Sequence, residues 1–325
     1  MPERALTVAV TGPTGDIGRA LLRAAERDGR VGRILGMARR PFDPVAMGLT
    51  KTEYRQGDVL DRTALEALVA GADVVVHLAF VIVGGREETR SVNLEGSRNA
   101  FAAAAAAGVE RLVYTSSVAA YGFHGDNPQP LTEAVPTRGT DAHYYSAQKA
   151  ELEAALYEAI AGSHTQPYVL RPSIVAGGDA TFMIEAIPGL VRRLPGFMRP
   201  VVPDPGVPFQ LVHQDDVATA LLAAIHGDGP PGAYNLAGPG TLRARDLASE
   251  LGWLSVPVPR ASVDLTALTA RLPLAPAKAQ WLNAFRVPVV MDTTKARAEL
   301  GWEPEHDAAS VLEETVAAAR AQGLV

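Results

Sequence analysis

The fold is decided by a stretch near the N-terminus, Val8-Ala9-Val10-Thr11-Gly12-Pro13-Thr14-Gly15-Asp16-Ile17-Gly18. Its three glycines stand at three-residue spacing between an apolar run, Leu6–Val10, and an Ala/Leu-rich segment, Ile17–Ala25. A glycine turn between a strand and a helix lets backbone N–H groups and the helix N-terminus approach a pyrophosphate, which side chains at these points would obstruct. The stretch therefore predicts a dinucleotide-binding turn, although a tight connection without a ligand would use glycine in the same way.

Short β-branched runs and longer Ala/Leu-rich segments alternate through the first half of the chain. After the turn they are Arg33–Met37, Asp73–Leu78, Val92–Ala107 and Leu112–Thr115. The strand candidates are apolar throughout, not at every second residue, which favours a parallel sheet covered by helices on both faces. The predicted fold class is therefore α/β, a doubly wound Rossmann fold.

A second lobe is predicted in the second half, where six prolines between positions 188 and 208 interrupt a segment rich in Met, Phe and Ile. Strand-like runs at Phe209–Val212 and Ala233–Leu236 then return to the pattern of the first half. We therefore expect a dinucleotide-binding domain at residues 1–172, with returning segments near 207–237 and 286–300. Residues 173–325 are expected to form mostly a smaller, interleaved substrate-binding lobe.

The composition argues against several classes of protein. The 325 residues carry 30 Lys and Arg against 36 Asp and Glu, a net charge of −6 without a Lys/Arg-rich stretch, so nucleic-acid binding is not expected. Without cysteine there is no disulfide framework or thiolate nucleophile, and the seven histidines are scattered, so no metal site is expected. The sequence has neither a signal-peptide pattern nor a membrane span, and we expect a cytoplasmic protein without a membrane partner.

The residues that follow the second predicted strand bear on the choice of dinucleotide. An acidic side chain there accepts from the ribose 2′-hydroxyl of NAD, whereas an arginine accommodates the 2′-phosphate of NADP. Here the chain has Arg39 and Arg40 and no carboxylate. The sequence predicts a preference for NADP(H) over NAD(H), with two solvated loop arginines as the alternative interpretation.

Tyr145 and Lys149 are four residues apart at the start of a predicted helix, so their side chains share one face. A nearby ammonium favours a phenolate, and a tyrosine so placed can exchange a proton with a carbonyl or an alcohol. Upstream, Ser116 and Ser117 follow a strand at the edge where doubly wound sheets bind ligands. As an isolated pattern Tyr-x-x-x-Lys is weak, but its position and chemistry agree with those of the two serines.

Several motifs occur together in one order along the chain. They are the glycine turn, His77-Leu78-Ala79, Asn93, Ser116-Ser117-x-x-x-Tyr121-Gly122, Tyr145-x-x-x-Lys149, Val212-His213-Gln214-Asp215-Asp216-Val217-Ala218, Tyr234-Asn235-Leu236 and Asp292-Thr293-Thr294-Lys295-Ala296. In this combination the sequence resembles an extended short-chain dehydrogenase/reductase, the NAD-dependent epimerase/dehydratase family, over nearly its whole length.

The resemblance implies roles for individual residues. Ser117 would hold the substrate oxygen, Tyr145 would be the acid/base, and Lys149 would hold the nicotinamide ribose and lower the pKa of the tyrosine. Ser117 is preferred over Ser116 because of its spacing to the Tyr-Gly pair. The turn and the resemblance together predict a cofactor-binding set of Gly12, Thr14, Gly15, Asp16, Ile17, Gly18, Arg39, Arg40, Asp58, Val59, Leu78, Ala79, Asn93, Tyr145, Lys149 and Pro172.

Some of these residues also have structural explanations. Asp58 has an adenine contact as its implied role, but it also suits the start of a turn. Asp215 is expected to cap the helix after its strand, in preference to a catalytic role for the adjacent acidic pair. His77 and His213 are expected to be packed strand residues.

The substrate site is predicted to be apolar. Nucleotide-sugar members of the family place an asparagine and an arginine toward the diphosphate, and Ile174 and Phe209 stand at those positions here. A diphosphate against these side chains would lose charge-assisted hydrogen bonds of about 1.5–3 kcal/mol each. The remaining predicted substrate-binding residues are Phe80, Val81, Ser117 and Phe182, with further apolar wall at Ile82-Val83, Met183-Ile184 and Phe197-Met198. Core packing explains some of these residues equally well.

The sequence therefore predicts an NADP(H)-dependent oxidoreductase that passes hydride between nicotinamide C4 and a carbonyl or secondary alcohol of a small, mostly apolar molecule. One alternative is a sugar or nucleotide-sugar epimerase or dehydratase that retains its cofactor. Another is a non-catalytic dinucleotide-sensing regulator, against which the intact Ser-Tyr-Lys set argues. A homodimer is expected only from the resemblance.

Overall fold

The computed structural model describes residues 4–82, 89–187, 199–259 and 287–325. In these ranges the strands are β1 Leu6–Thr11, β2 Val31–Ala38, β3 Thr52–Gln56, β4 Val74–His77, β5 Arg111–Thr115, β6 Gln166–Pro172, β7 Ile174–Ala176, β8 Val201–Asp204, β9 Leu211–His213, β10 Gly232–Leu236 and β11 Leu254–Pro257. The α-helices are α1 Asp16–Arg27, α2 Arg62–Val69, α3 Gly96–Ala107, α4 Tyr144–Ile160, α5 Phe182–Glu185, α6 Gln214–His226, α7 Ala244–Leu251, α8 Thr294–Leu300 and α9 Ala308–Ala321.

Seven strands form one parallel sheet in the order β10-β6-β5-β4-β1-β2-β3. The central strand β1 pairs with β2 on one side and with β4 on the other, so that Val8 lies opposite both Ile34 and Val74. The strand order reverses between β1 and β4, and their carboxyl ends flank the crevice in which such sheets bind ligands. The predicted fold class, a doubly wound α/β Rossmann fold, is confirmed.

Helices cover both faces of this sheet. On one face, α1 and α6 form a buried apolar cluster with the sheet, which includes Val10 of β1 and Leu221 of α6. On the other face α3 and α4 contribute Phe101 and Leu152, which are buried in a cluster with Val75. Because successive side chains of a strand point to opposite faces, a sheet covered on both sides needs apolar residues at every position. This explains the continuous apolar runs of the inner strands.

The apolar pattern does not predict the edge strand β3, whose sequence is Thr-Glu-Tyr-Arg-Gln. An edge strand has one neighbour, and most side chains of β3 are exposed or half-buried, so the strand needs no apolar run. Strand β3 is recognised by its parallel pairing with β2, in which Ile34 lies opposite Thr52.

One of the two predicted returning strands lies elsewhere. The run Phe209–Val212 overlaps β9, which pairs in parallel with β7 in a separate two-stranded sheet, Ile174 opposite Leu211. Leu211 packs with Val311 of α9 in a hydrophobic cluster that is separate from the clusters covering the main sheet. Only the second run, within β10, joins the main sheet, beside β6.

The second half of the chain also contributes elements outside the main sheet. Strands β8 and β11 form another parallel pair, Leu254 opposite Val201. Helix α8 packs against β10, and its Lys295 donates a hydrogen bond to the carbonyl of Ala233 at 2.8 Å. None of the helices within the described ranges has both the length and the apolar character needed to cross a membrane.

Candidate active site

The glycine turn between β1 and α1 is shaped by three different constraints. Gly12 has φ +75°, and a Cβ there would lie 2.7 Å from the backbone nitrogen of Ala79. A Cβ on Gly18 would lie 2.6 Å from the carbonyl oxygen of Gly12. The nearest atom to a Cβ on Gly15 is 3.6 Å away, an ordinary contact. Gly12 and Gly18 are thus required by the protein's own backbone, whereas the protein itself would accept a Cβ at Gly15.

Two guanidinium groups converge on the turn. Arg19 and Arg40 each donate a hydrogen bond to the carbonyl of Thr14, at 3.0 and 3.3 Å. Arg19 also pairs with Asp16 in the first turn of α1, at 3.0 Å. Burial raises the pKa of the Asp16 carboxyl, with Arg19 acting in the opposite direction. Asp179 and Glu185 also bring negative charge near Asp16, so the charges around the turn are of both signs.

The other predicted cofactor residues lie at the same sheet edge or beside it. Arg39 is exposed directly after β2, and Ile17 is half-buried in α1. The Asp58 carboxylate accepts from the backbone N–H of Leu60 at 3.0 Å, as expected of a turn residue. The remaining members are Val59, buried in the α2 and α3 cluster, Leu78 and Ala79, half-buried after β4, and Pro172, buried at the end of β6.

Tyr145 lies in the first turn of α4, which His143 caps by accepting from the backbone N–H of Ser146 at 3.3 Å. The tyrosine is only 9% exposed, and its ring meets Phe80 edge-on at 5.4 Å between centroids. Burial raises the pKa of Tyr145 to about 12, while a hydrogen bond with Ser117 acts in the opposite direction. The structure therefore brings the predicted serine and tyrosine hydroxyls together.

Lys149 lies one turn further along α4 and is buried. Its ammonium donates to the carbonyl of Thr115 at 2.8 Å and to the Tyr114 hydroxyl at 3.3 Å, and lies 4.1 Å from the Phe80 ring centroid. Burial lowers the pKa of Lys149 to about 7, with Glu153 acting in the opposite direction.

The electrostatics of the pair differ from the sequence-based expectation. Lys149 was expected to lower the pKa of Tyr145, yet burial moves that pKa upward. The ammonium lies 5.9 Å from the centre of the Tyr145 ring and donates to the end of β5. Two groups buried on one helix face both favour their neutral forms because a low-dielectric surrounding disfavours charge on either.

The two serines after β5 have different environments. The Ser117 hydroxyl accepts from the backbone N–H of Ala119 at 3.2 Å and is the one that meets Tyr145. The Ser116 hydroxyl donates to the carboxylate of Glu153 at 2.5 Å, in the interior. The geometry thus favours Ser117 as the serine of the site, the same choice that its spacing suggested.

Asn93 fastens the loop after β4 to the helix that carries Tyr145. It lies in a single π-helical turn before α3 and is fully buried. Its side chain accepts from the backbone N–H of Val81 at 2.8 Å and donates to the Val81 carbonyl at 3.0 Å. It also donates to the Gln148 side chain at 2.9 Å. Sequence reasoning named Asn93 but missed its partner Gln148, whose position beside Lys149 was the available signal.

Two histidines of the sequence motifs, His77 and His213, have structural roles. His77 bonds Thr11 at 2.7 Å and Ser97 at 2.9 Å in the interior, and burial lowers its pKa to about 3. His213 caps α6 by accepting from the backbone N–H of Asp215 at 3.2 Å. The expectation that Asp215 itself caps this helix is wrong, because the helix begins at Gln214 and the residue before it supplies the acceptor.

The predicted apolar substrate residues fall into two groups. Phe80 and Ile82 pack beside Tyr145. Ile174 and Phe209 pack in the cluster beneath α9, in which Phe209 is buried. Phe182 opens the short helix α5 and is half-buried. The predicted wall residues Val83, Phe197 and Met198 lie outside the described residues.

Glu153 is a further residue of the site region that sequence reasoning missed. It lies one turn after Lys149 on α4, is buried, and binds both Ser116 and Arg171. Its i+4 spacing from Lys149 was the signal available in the sequence. The arrangement as a whole offers a glycine turn that fits a pyrophosphate and, beside it, a hydroxyl pair with a buried amine, which suits proton transfer to or from a substrate oxygen.

A family model described as the NAD dependent epimerase/dehydratase family matches residues 8–237. Among curated relatives, an uncharacterized Sinorhizobium fredii protein, y4nG, is 28% identical over 95% of this chain and 77% of its own length. Sterol demethylase protein B of Methylococcus capsulatus is 32% identical over 61% of this chain and 64% of its own. The 2-alkyl-3-oxoalkanoate reductase of Shewanella oneidensis is 28% identical over 55% and 47%. The chain spans 30% of a longer Mycobacterium tuberculosis relative.

Solved structures share the fold. An Agrobacterium tumefaciens short-chain dehydrogenase/reductase superfamily protein with bound NAD superposes with a TM-score of 0.73 at 22% identity, covering 97% of this chain and 98% of its own. UDP-glucose 4-epimerase of Thermotoga maritima superposes with a TM-score of 0.74 at 19% identity, covering 98% and 99%. At these identities the likeness concerns the fold alone.

Proposed function

Because the chain belongs to the NAD-dependent epimerase/dehydratase family, we propose that it is an oxidoreductase that uses NADP(H) in preference to NAD(H). It interconverts a carbonyl and a secondary alcohol on a small, mostly apolar molecule, with Tyr145 as the acid/base. The observation that carries this proposal is the convergence of Ser117, Tyr145 and Lys149 at the carboxyl edge of the sheet. A bound dinucleotide supplies or accepts the hydride.

The residues of this chain would divide the remaining work. In carbonyl reduction Tyr145 donates its hydroxyl proton to the substrate oxygen, which Ser117 holds in place. A phenol with a pKa raised to about 12 is protonated at neutral pH and thus ready to donate. Lys149 would hold the ribose, and its ammonium, 5.9 Å from the centre of the Tyr145 ring, would favour the phenolate that is left behind. Phe80, against both Tyr145 and Lys149, limits the access of water.

The proposed preference for NADP(H) is supported by the end of β2. The next two residues are the exposed Arg39 and Arg40, and Arg40 already reaches the carbonyl of Thr14 in the glycine turn at 3.3 Å. A guanidinium there can pair with a 2′-phosphate, and no carboxylate competes at the strand end. We expect Arg40→Ala to weaken the binding of NADPH about ten-fold and to leave the binding of NADH nearly unchanged, as measured by fluorescence titration.

The proposal of an apolar substrate has two supports. Ile174 and Phe209 lie in an apolar cluster, where a diphosphate would find no charge-assisted partner in either side chain. Relatives named as a sterol demethylase protein and a 2-alkyl-3-oxoalkanoate reductase match more than half of the chain. Both names describe chemistry on largely hydrocarbon molecules, and we propose a substrate of that class here.

The test uses NADPH with a panel of 3-oxo acids and 3-oxosteroids, following NADPH absorbance. Tyr145→Phe is expected to reduce turnover by about 10³-fold or more and to leave NADPH binding within about two-fold, because only the hydroxyl is lost. Retained activity would remove Tyr145 from the mechanism. Purified protein that holds a dinucleotide tightly and shows no net redox change with these carbonyls would instead favour an epimerase.

A further inference from the structure

Glu153 joins the two parts of the chain that carry the proposed catalytic residues. It lies on α4, one turn after Lys149 and two turns after Tyr145, and its side chain is 4% exposed. One carboxylate oxygen accepts from the Ser116 hydroxyl at 2.5 Å and from Nε of Arg171 at 3.0 Å. The other accepts from Nη2 of Arg171 at 2.6 Å. The same carboxylate therefore binds the residue next to Ser117 and the end of β6.

The contacts continue beyond Arg171 to the edge of the sheet. Arg171 donates to the Tyr121 hydroxyl at 2.8 Å and stacks over that ring at 4.8 Å. Tyr121 donates in turn to the side chain of Asn235 in β10 at 2.8 Å. Helix α4 is thereby tied to the ends of β5, β6 and β10 through charged and polar groups.

Apolar packing would join these elements without the desolvation free energy that a buried ion pair costs. Its advantage is directional, since a bidentate carboxylate–guanidinium pair with a third donor admits a single register between helix and strands. Register matters here because Ser117 follows β5 whereas Tyr145 and Lys149 lie on α4. A shift of about 1 Å between such elements can cost about 10²-fold in rate.

We propose that Glu153 is a positioning residue for the reaction: through Ser116 and Arg171 it sets Ser117 against the helix of Tyr145 and Lys149, and from the next turn of the same buried helix face it places a negative charge beside Lys149. The positioning role rests on the function proposed above. The effect on Lys149 does not, because it concerns two side chains of this chain alone.

The titratable groups that face Lys149 have pKa values far from that of Lys149. From β4 comes His77, whose pKa burial lowers to about 3, and from β5 comes Tyr114, whose pKa burial raises well above its ordinary value. On α4 itself, burial raises the pKa of Tyr145 to about 12. Glu153 raises the pKa of Lys149 against the larger lowering by burial. We therefore expect that removing the charge of Glu153 lowers the titration midpoint of Lys149.

The experiment titrates Lys149 directly. The chain has four lysines, so ¹³Cε-lysine NMR gives few signals, and Lys149→Met assigns the one required. In Glu153→Gln the Lys149 midpoint should fall by about one pH unit, and in Glu153→Asp it should stay near that of the wild type. Glu151→Gln, also on α4, removes a half-buried carboxylate that pairs with Arg98 of α3; it is the matched control and should not move the Lys149 midpoint.

A second variant tests the proposal if Glu153→Gln does not fold. Glu153→Gln leaves Arg171 without its carboxylate, and if that protein does not fold, Glu153→Gln with Arg171→Met removes the unpaired charge as well. Because the double variant also lacks the Arg171 cation, it is compared with Arg171→Met alone, relative to which the Lys149 midpoint should fall. A folded Glu153→Gln with the wild-type midpoint, or a double variant with the midpoint of Arg171→Met, would overturn the proposed charge effect.

Turnover supplies the second readout. With an accepted carbonyl and NADPH, Glu153→Gln should lower kcat about ten-fold or more with little change in the Kd of NADPH. An unchanged kcat would reduce Glu153 to a purely structural residue. Absence of turnover in the wild type would count against the proposed function, while the NMR titration would still decide the charge effect on Lys149.

Discussion

At the scale of single residues, the three glycines of the first turn are not equivalent. Gly12 combines a positive φ with backbone atoms at 2.7 Å from any Cβ, whereas Gly15 has an ordinary negative φ and only one atom, at 3.6 Å. A side chain at Gly12 therefore strains the protein itself. The protein itself would accept a Cβ at Gly15, so a side chain there is expected to obstruct only the pyrophosphate at the helix N-terminus.

We predict that two alanine substitutions in this turn affect different properties, stability in one case and NADPH binding in the other. Gly12→Ala should lower the free energy of unfolding by about 2–4 kcal/mol, because strain and a backbone clash add. Gly15→Ala should change it by less than about 1 kcal/mol and weaken NADPH binding at least ten-fold. Urea denaturation and fluorescence titration measure the two quantities, and comparable unfolding costs for both variants would contradict the assignment.

Lys149 should make the stability of the dinucleotide-free protein depend on pH. Burial lowers its pKa from 10.5 to about 7, so between these values the unfolded chain binds a proton that the folded chain does not. Stability contributed by this group therefore rises with pH across that window, by about 1.4 kcal/mol per pH unit. Urea unfolding of the wild type and of Lys149→Met at pH 7 and pH 9 tests this, since the difference between them should move in favour of the wild type as pH rises.

At the scale of elements, helix α4 is held at both ends of its active stretch. His143 caps its first turn, and Gln148 receives a hydrogen bond from Asn93 in the π-helical turn before α3. Such π-helical turns often occur at functional sites because the extra residue re-aims a side chain. Here the side chain of Asn93 binds both the Val81 backbone and Gln148 of α4.

Asn93→Ala is predicted to destabilise the protein by about 1–3 kcal/mol and to reduce kcat more than it weakens NADPH binding. The physical reason is that three hydrogen bonds are lost where the loop of Phe80 meets α4, so Tyr145 and its apolar neighbour are no longer held together. Asn99→Ala, on the adjoining helix α3 with bonds to Arg62 and Val59, is the control and should leave kcat unchanged.

At the scale of the whole molecule, Asp216 ties the C-terminal segment to α6. Its carboxylate accepts from the backbone N–H groups of Glu305 at 2.9 Å and His306 at 3.2 Å, and from the His306 ring at 3.1 Å. The indole of Trp302 donates to the Asp216 carbonyl at 2.8 Å. The acidic pair at the start of α6 thus divides into a buried structural residue and an exposed one, Asp215.

We predict that Asp216→Asn lowers the free energy of unfolding by about 2–3 kcal/mol, because charge-assisted bonds to two backbone N–H groups are weakened in the interior. Asp215→Asn is the matched control. That side chain is 54% exposed and pairs with Arg23 at 3.6 Å, so the expected change is within about 0.5 kcal/mol. Equal effects in urea denaturation would contradict a structural role for Asp216.

The fold class and the core of the candidate site are readable from local patterns in the sequence. The glycine spacing, the apolar runs of the inner strands and the four-residue step from Tyr145 to Lys149 depend on backbone geometry and periodicity, which neighbouring residues display. These features predicted the central strands and the confirmed fold class. They also predicted a serine, a tyrosine and a lysine that the structure places at one edge of the sheet.

Only the tertiary structure decided which strands are neighbours and how the buried groups are charged. The edge strand β3 has no apolar run, β9 pairs outside the main sheet, and Glu153 meets Arg171 across 18 residues of sequence. The direction of the Tyr145 and Lys149 pKa shifts follows from burial, and burial is produced by segments distant along the chain. Sequence spacing encodes direction along an element, whereas solvent exclusion and long-range pairing exist only once the elements have packed.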